Sequence, residues 1–133
     1  MKKFISLLFV ALILGLVQVS LAQAQNQMQL RVGQQKSMAN GKVRVKLISV
    51  TEDSRCPVNV DCVWAGNAKV TVQVVVRGGE TKILELNTNT REKGGTADAY
   101  RVQLESLTPA RRSNRKIRQS DYRAIVSITK LMR

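Results

Sequence analysis

Apolar and polar residues alternate along most of the chain beyond its first two dozen positions. Met28, Leu30 and Val32 are separated by Gln29 and Arg31, the period-two pattern of a strand with one buried face. Gly33 ends that run. Residues 34–39 suit a short edge strand, and Asn40-Gly41 is a two-residue hairpin signal. Val43, Val45 and Leu47 alternate with Arg44 and Lys46, after which the apolar phase moves to Ile48 and Val50. Such a shift predicts a β-bulge near Leu47 and Ile48. Val70, Val72, Val74 and Val76 share one face of the clearest strand, and Val75 suggests that its other face is partly covered. Gly78-Gly79 predicts a tight turn into a strand over 81–86 with Leu84 and Leu86 inward. Residues 87–98 are polar, contain Gly94-Gly95, and read as a long exposed loop. Tyr100, Val102 and Leu104 mark the next strand, stopped by Pro109, and Tyr122, Ala124, Val126 and Ile128 mark the last.

This amounts to six strands, or seven with 34–39, and no helical period. Half-apolar strands must bury one face against another layer. The expectation is therefore all-β, an antiparallel two-sheet sandwich of immunoglobulin-like type, with a small β-barrel as the alternative.

The N-terminus has a different character. Met1-Lys2-Lys3 precedes an apolar run over 4–17, followed by small residues around Ala22 and Ala24. This is the layout of a secretory signal peptide. The run is short for a membrane span, which takes about 20 residues, so cleavage after Ala22 or Ala24 is expected rather than an anchor. Residues 1–24 are then a leader and 25–133 a single domain, exported to the periplasm or medium and not an integral membrane protein. Loss of Lys2 and Lys3 lowers the formal charge from +13 to +11.

The unusual residues collect between the third and fourth strands. Cys56 and Cys62 are the only cysteines and Trp64 the only tryptophan. Pro57 biases Cys56 toward extended backbone, and Asn59 favours a turn. A loop that returns near its origin could bring the sulfurs within bonding range, as suits an oxidising compartment. A Cys56–Cys62 disulfide is expected, with a loop-shaping role and a chain-entropy contribution of about 2 kcal/mol. Free thiols and metal ligation are the alternatives. Catalytic redox pairs usually have two intervening residues, whereas this pair has five. A structural zinc takes about four ligands, and the chain has no histidine. Trp64 is expected to pack on the disulfide or cap the core; an exposed binding anchor is the alternative. Asp53, Arg55 and Asp61 are expected to satisfy loop backbone groups or pair with each other, and with Trp64 they form a candidate binding loop.

The run Asp53-Ser54-Arg55-Cys56-Pro57, then Cys62, then Val63-Trp64-Ala65-Gly66, resembles the signature of short secreted bacterial proteins of uncharacterised role. Gly33-Gln34 before it, and Tyr100 to Leu104 with Pro109 after it, extend the resemblance over most of the mature chain. It implies export and a strand-rich domain, and it carries no activity.

A second cluster is basic. Five of the eight residues over 111–118 are cationic, namely Arg111, Arg112, Arg115, Lys116 and Arg118, with no acid between Glu105 and Asp121. Such a cluster makes a local positive potential for anionic partners, or is simply a solvated loop. In an exported protein the partners would be lipopolysaccharide, anionic headgroups, acidic polysaccharide or extracellular DNA. Nucleic acid is the poorer fit. Beyond the leader the aromatics are Trp64, Tyr100 and Tyr122, both tyrosines fall in the inward phase, and single-strand binders expose stacking rings.

With no histidine, Ser-His-Asp and Cys-His catalysis are excluded; phosphate-loop and dinucleotide-binding glycine patterns are also missing. No catalytic residue, metal or cofactor is expected. The reading is a non-enzymatic exported module that binds through the disulfide-braced loop or the basic loop. The alternatives are a binder of anionic envelope polymer or lipid through 111–118, and a secreted inhibitor presenting the 56–62 loop to an extracytoplasmic protein. A hydrolase would require two facing carboxylates in a cleft. An exposed Trp64 favours the loop as the binding element; a buried Trp64 with a continuous basic face favours the anion binder.

Overall fold

The computed structural model describes residues 26–89 and 93–132. The expected leader, 1–24, lies outside the described residues. Eight strands follow in order: β1 Gln27–Arg31, β2 Gln35–Met38, β3 Val43–Asp53, β4 Ala68–Val76, β5 Thr81–Asn87, β6 Gly94–Ala97, β7 Tyr100–Thr108 and β8 Arg123–Lys130. They form two four-stranded antiparallel sheets, ordered β2-β3-β4-β5 and β1-β8-β7-β6. The chain is the expected all-β sandwich. Its strand order is an up-and-down meander rather than a Greek-key interleaving. Sequence neighbours β1 and β2 meet at one seam and β5 and β6 at the other. Pairing at both seams would convert the same order into the small barrel.

The alternation decides which faces meet. β4 buries Ala68, Val70, Val72, Val74 and Val76 and leaves the residues between them half-covered. Leu30, Leu47, Leu86, Leu104 and Val126 are fully buried between the sheets. The predicted bulge is present: the register of β3 against β4 slips between Leu47 and Ser49. Ile48 is the extra residue and faces solvent, so the inward phase resumes at Val50 and not at Ile48. A similar slip between Leu104 and Ser106 lets Leu107 turn inward at the end of β7.

Two local expectations are corrected. The Asn40-Gly41 turn is not a two-residue hairpin. Met38 pairs with Val43, so Ala39 to Lys42 form the loop, with Ala39, Asn40 and Gly41 all at positive φ. The polar stretch 87–98 is not all loop, because it contains β6. Gly94 and Gly95 hid this strand, since they offer no side-chain pattern. A Cβ on Gly94 would overlap the Val102 carbonyl on β7, so the close pairing of the two strands requires the glycine.

A meander places alternate connections at the same end. The β3–β4 connection, 54–67, and the β7–β8 connection, 109–122, therefore project from one end of the sandwich. Both described termini lie at the other end.

Candidate functional site

The base of this end is a charged cluster. Arg55 places its guanidinium on the Asp53 carboxylate with two bonds, Nε to Oδ1 and Nη2 to Oδ2, each 2.8 Å. The remaining donors reach across to the other sheet, to the Leu107 carbonyl at 2.6 Å and the Pro109 carbonyl at 2.9 Å. Tyr122 donates its hydroxyl to Asp53 Oδ2 at 2.9 Å. The Asp53 and Arg55 side chains are 10% and 16% exposed. They pair with each other, as one sequence expectation had it, and tie the end of β3 to the ends of β7 and β8. They are therefore structural rather than presented to a partner.

The loop above this base is held at several points. Cys56 and Cys62 are disulfide-bonded with Cα atoms 5.9 Å apart, which fits an oxidising compartment. Where the loop closes, Ser54 N donates to the Asn67 carbonyl at 2.7 Å and Asn67 N donates to Ser54 Oγ at 3.1 Å. Gly66 passes over the Ser54 carbonyl with φ +69°, and any Cβ there would overlap it. The Asn67 amide binds Asn87 and caps the backbone N–H groups of Thr88 and Asn89.

On this braced loop the apolar side chains face solvent. Val58, Val60, Val63 and Trp64 are 60%, 45%, 93% and 68% exposed. The expectation that Trp64 packs on the disulfide or caps the core is overturned. The buried residues at this end of the core are Tyr122, Leu107 and Ala68. Asp61 is also exposed, with no ion pair among the described residues.

The basic segment is a hairpin laid against the same loop. Arg112 and Arg115 bridge across a tight turn at Ser113-Asn114. Asn59 Nδ2 donates to Ser113 Oγ at 2.7 Å, Ser113 N returns a bond to Asn59 Oδ1 at 3.0 Å, and Val58 N donates to the Arg111 carbonyl at 2.9 Å. The five cations divide by role. Arg111 Nη1 donates to the Arg55 carbonyl at 2.7 Å and locks hairpin to loop. Arg118 pairs with Asp121 at 3.1 Å. Arg112, Arg115 and Lys116 are exposed and make no ion pair among the described residues. With Ile117, Arg118 and Asp121 they line a cavity of about 250 Å³.

Several contributors carried no sequence signal. Gln119 is the clearest: its amide donates to the Val50 carbonyl and accepts from Val50 N–H, each at 2.9 Å. β2 has ended by that point, so a side-chain amide completes the open edge of β3 in place of a strand.

Two ionisable groups at the base titrate abnormally. Burial pushes the Asp53 carboxyl up, but hydrogen bonds from Arg55 and Tyr122 outweigh it and hold the group below its ordinary 3.8. Burial, followed by the bond to Asp53, raises the Tyr122 hydroxyl from 10.0 to about 12. The signs differ. Unfolding returns Asp53 to its higher ordinary value, so its stabilisation is complete above 3.8 and is lost as pH falls through the folded value. Unfolding returns Tyr122 to a lower value, so stability declines as pH rises from 10.0 toward about 12. A Tyr122→Phe variant is expected to lose this alkaline decline, read from unfolding midpoints across that range. An unchanged decline would place its source elsewhere.

Among the described residues no group of three or more Cys, Asp and Glu stands close enough to hold a metal ion. No helix among them is long and apolar enough to cross a membrane. No known family model, curated protein or solved structure matches this chain, so its function is read from the geometry of this end.

Proposed function

We propose that this chain is a non-enzymatic, exported binding module whose working surface is the end where the disulfide loop and the basic hairpin meet. The observation that carries the reading is the exposure of Val58, Val60, Val63 and Trp64 on a loop that is otherwise fully braced. Single exposed apolar residues need no explanation, but contiguous ones usually mark an interaction surface. Tryptophan is also among the residues that most often dominate binding energy. The loop is fixed by the disulfide and by its bonds to the hairpin, so little ordering entropy is lost on association. The signal-like N-terminus and the disulfide support export.

The loop and the hairpin, separate candidates in the sequence, are one surface on this reading. Its partner is an anionic envelope component or an extracytoplasmic protein. Presentation of a rigid loop to a protein, as an inhibitor does, is favoured by the exposed Trp64. Capture of an anionic polymer is favoured by the unpaired Arg112, Arg115 and Lys116.

The test is cosedimentation of the mature protein with isolated bacterial envelopes. Trp64→Ala and a triple Arg112→Ala, Arg115→Ala, Lys116→Ala variant are each expected to lower the affinity by about tenfold or more. Their unfolding midpoints should stay at the wild-type value, because none of these side chains supports the core. Undiminished binding by both variants would overturn the reading.

A further inference from the structure

The geometry points to the surface of an anionic phospholipid bilayer as the partner of this end, with Val63 and Trp64 entering the interface and Arg112, Arg115 and Lys116 on lipid phosphates. This inference rests on the proposed working surface and names what that surface meets.

Three observations favour lipid over a folded partner. The apolar element is a projecting loop and not a groove, and Val63 is 93% exposed. A bilayer needs no matching relief, because an exposed tryptophan and neighbouring aliphatic groups sit at headgroup depth on any patch of it. The second observation is the placement of charge. The unpaired cations flank the apolar tip through the Asn59–Ser113 and Val58–Arg111 bonds. Apolar insertion and cationic attraction are the two signals that together make interfacial attachment stable. Without the leader the formal charge is still +11, so an anionic surface attracts the domain as a whole. A protein partner would need a matched acidic face.

The third observation is the cavity beside Arg112, Arg115 and Lys116. At about 250 Å³ it falls below the roughly 300–1,000 Å³ of sites that enclose whole small molecules. Its charged lining is cationic except for Asp121, which Arg118 already neutralises, and Pro109, Ala110 and Ile117 complete it. A phosphate headgroup whose acyl chains remain in the bilayer fits that size and charge. Ile117 on the cavity wall suits the glycerol side of such a group.

The sole tryptophan makes the test direct, since Trp64 reports its own environment. The mature protein is mixed with vesicles of phosphatidylcholine alone, or of phosphatidylcholine with an equal part of phosphatidylglycerol, at low and high salt. A parallel phosphatidylglycerol series carries lipids brominated along the acyl chain. The expected result is cosedimentation with the phosphatidylglycerol vesicles alone, a blue shift of Trp64 emission, and quenching of that emission by the brominated lipid. The triple variant should lose about 100-fold in vesicle affinity, at roughly fivefold per cation. Val63→Ser should lose about threefold and shrink the blue shift. Excess inorganic phosphate should not displace the protein, because it offers headgroup chemistry without an interface.

Failure to cosediment, or vesicle binding without quenching by the brominated lipid, would overturn insertion. Displacement by phosphate would reduce the cavity to a soluble-anion site and overturn it as well. Heparin and a vesicle-free envelope protein fraction form the remaining arms. If Trp64 emission moves with either of these but not with vesicles, the bilayer falls and the proposed working surface stands. If it moves with none of them, both fall.

Discussion

An Asp53→Ala variant is expected to be less stable than the wild-type protein by about 3 kcal/mol, the low end of the range for removing one partner of a buried ion pair, because this pair is only partly buried. The carboxylate accepts both bonds of the Arg55 fork and the Tyr122 hydroxyl. Without it, the guanidinium keeps its bonds to the Leu107 and Pro109 carbonyls but carries an uncompensated charge at the edge of the core. The Tyr122 hydroxyl loses its acceptor at the same time. The partner change is milder: Tyr122→Phe removes one bond and is expected to cost about 1.5 kcal/mol, as for a hydrogen bond to a charged group. Urea unfolding of the two variants and the wild type provides the comparison. A loss under 1 kcal/mol for Asp53→Ala, small beside the range for such pairs, would show that Arg55 is held by the two carbonyls alone.

The second large effect is expected at Gly66, whose alanine variant should lose about 3 kcal/mol. Its φ of +69° costs an L-residue roughly 1 kcal/mol. A Cβ would also overlap the Ser54 carbonyl and approach the Arg55 Cα to 2.8 Å. Both obstacles are backbone, so relief requires the strand end to move, a displacement of the overpacking kind. That movement would disturb the Ser54–Asn67 pairing and the base of the loop together. The variant is therefore expected to show altered chemical shifts at Asp53, Arg55 and Trp64 as well as lower stability. Wild-type stability with an unmoved loop would contradict the close approach described above. The final residue of the Val63-Trp64-Ala65-Gly66 run thus has a different purpose from the tryptophan: Gly66 permits the turn, while Trp64 is what the turn exposes.

The fold was largely legible because alternation and burial coincide. The four inward valines of β4 and the inward phases of β1, β5, β7 and β8 fall where the pattern puts them. What escaped was structure built without a pattern. β6 is formed around two glycines, of which Gly94 lets β7 approach and Gly95 packs against Leu84 of β5, and no hydrophobic period can announce that. Ile48 was placed inward because its side chain is apolar, but the extra residue of a bulge follows backbone geometry. At the site, the cysteine spacing and the turn-forming Asn59 signalled a disulfide loop, and Asp53 with Arg55 read as partners. The long-range bonds of Gln119 to Val50, Asn59 to Ser113 and Tyr122 to Asp53 span 54 to 69 residues of sequence and leave no local trace. The Asn59–Ser113 bonds join the loop to the hairpin, and the other two tie β3 to the segment after the hairpin. The sequence therefore displayed two candidate surfaces where the fold makes one. Trp64 reads as inward from the general burial of tryptophan, whereas the residues buried at this end are Tyr122, Leu107 and Ala68.

The most direct test of the working surface is amide hydrogen exchange on the mature protein with and without isolated bacterial envelopes. Added protection is expected over 56–64 and 111–118, on both parts of one surface, with the opposite-end turns at 39–42 and 77–80 unchanged. Protection at those opposite turns, or across the outward face of either sheet, with the loop and hairpin exchanging as they do alone, would contradict the account.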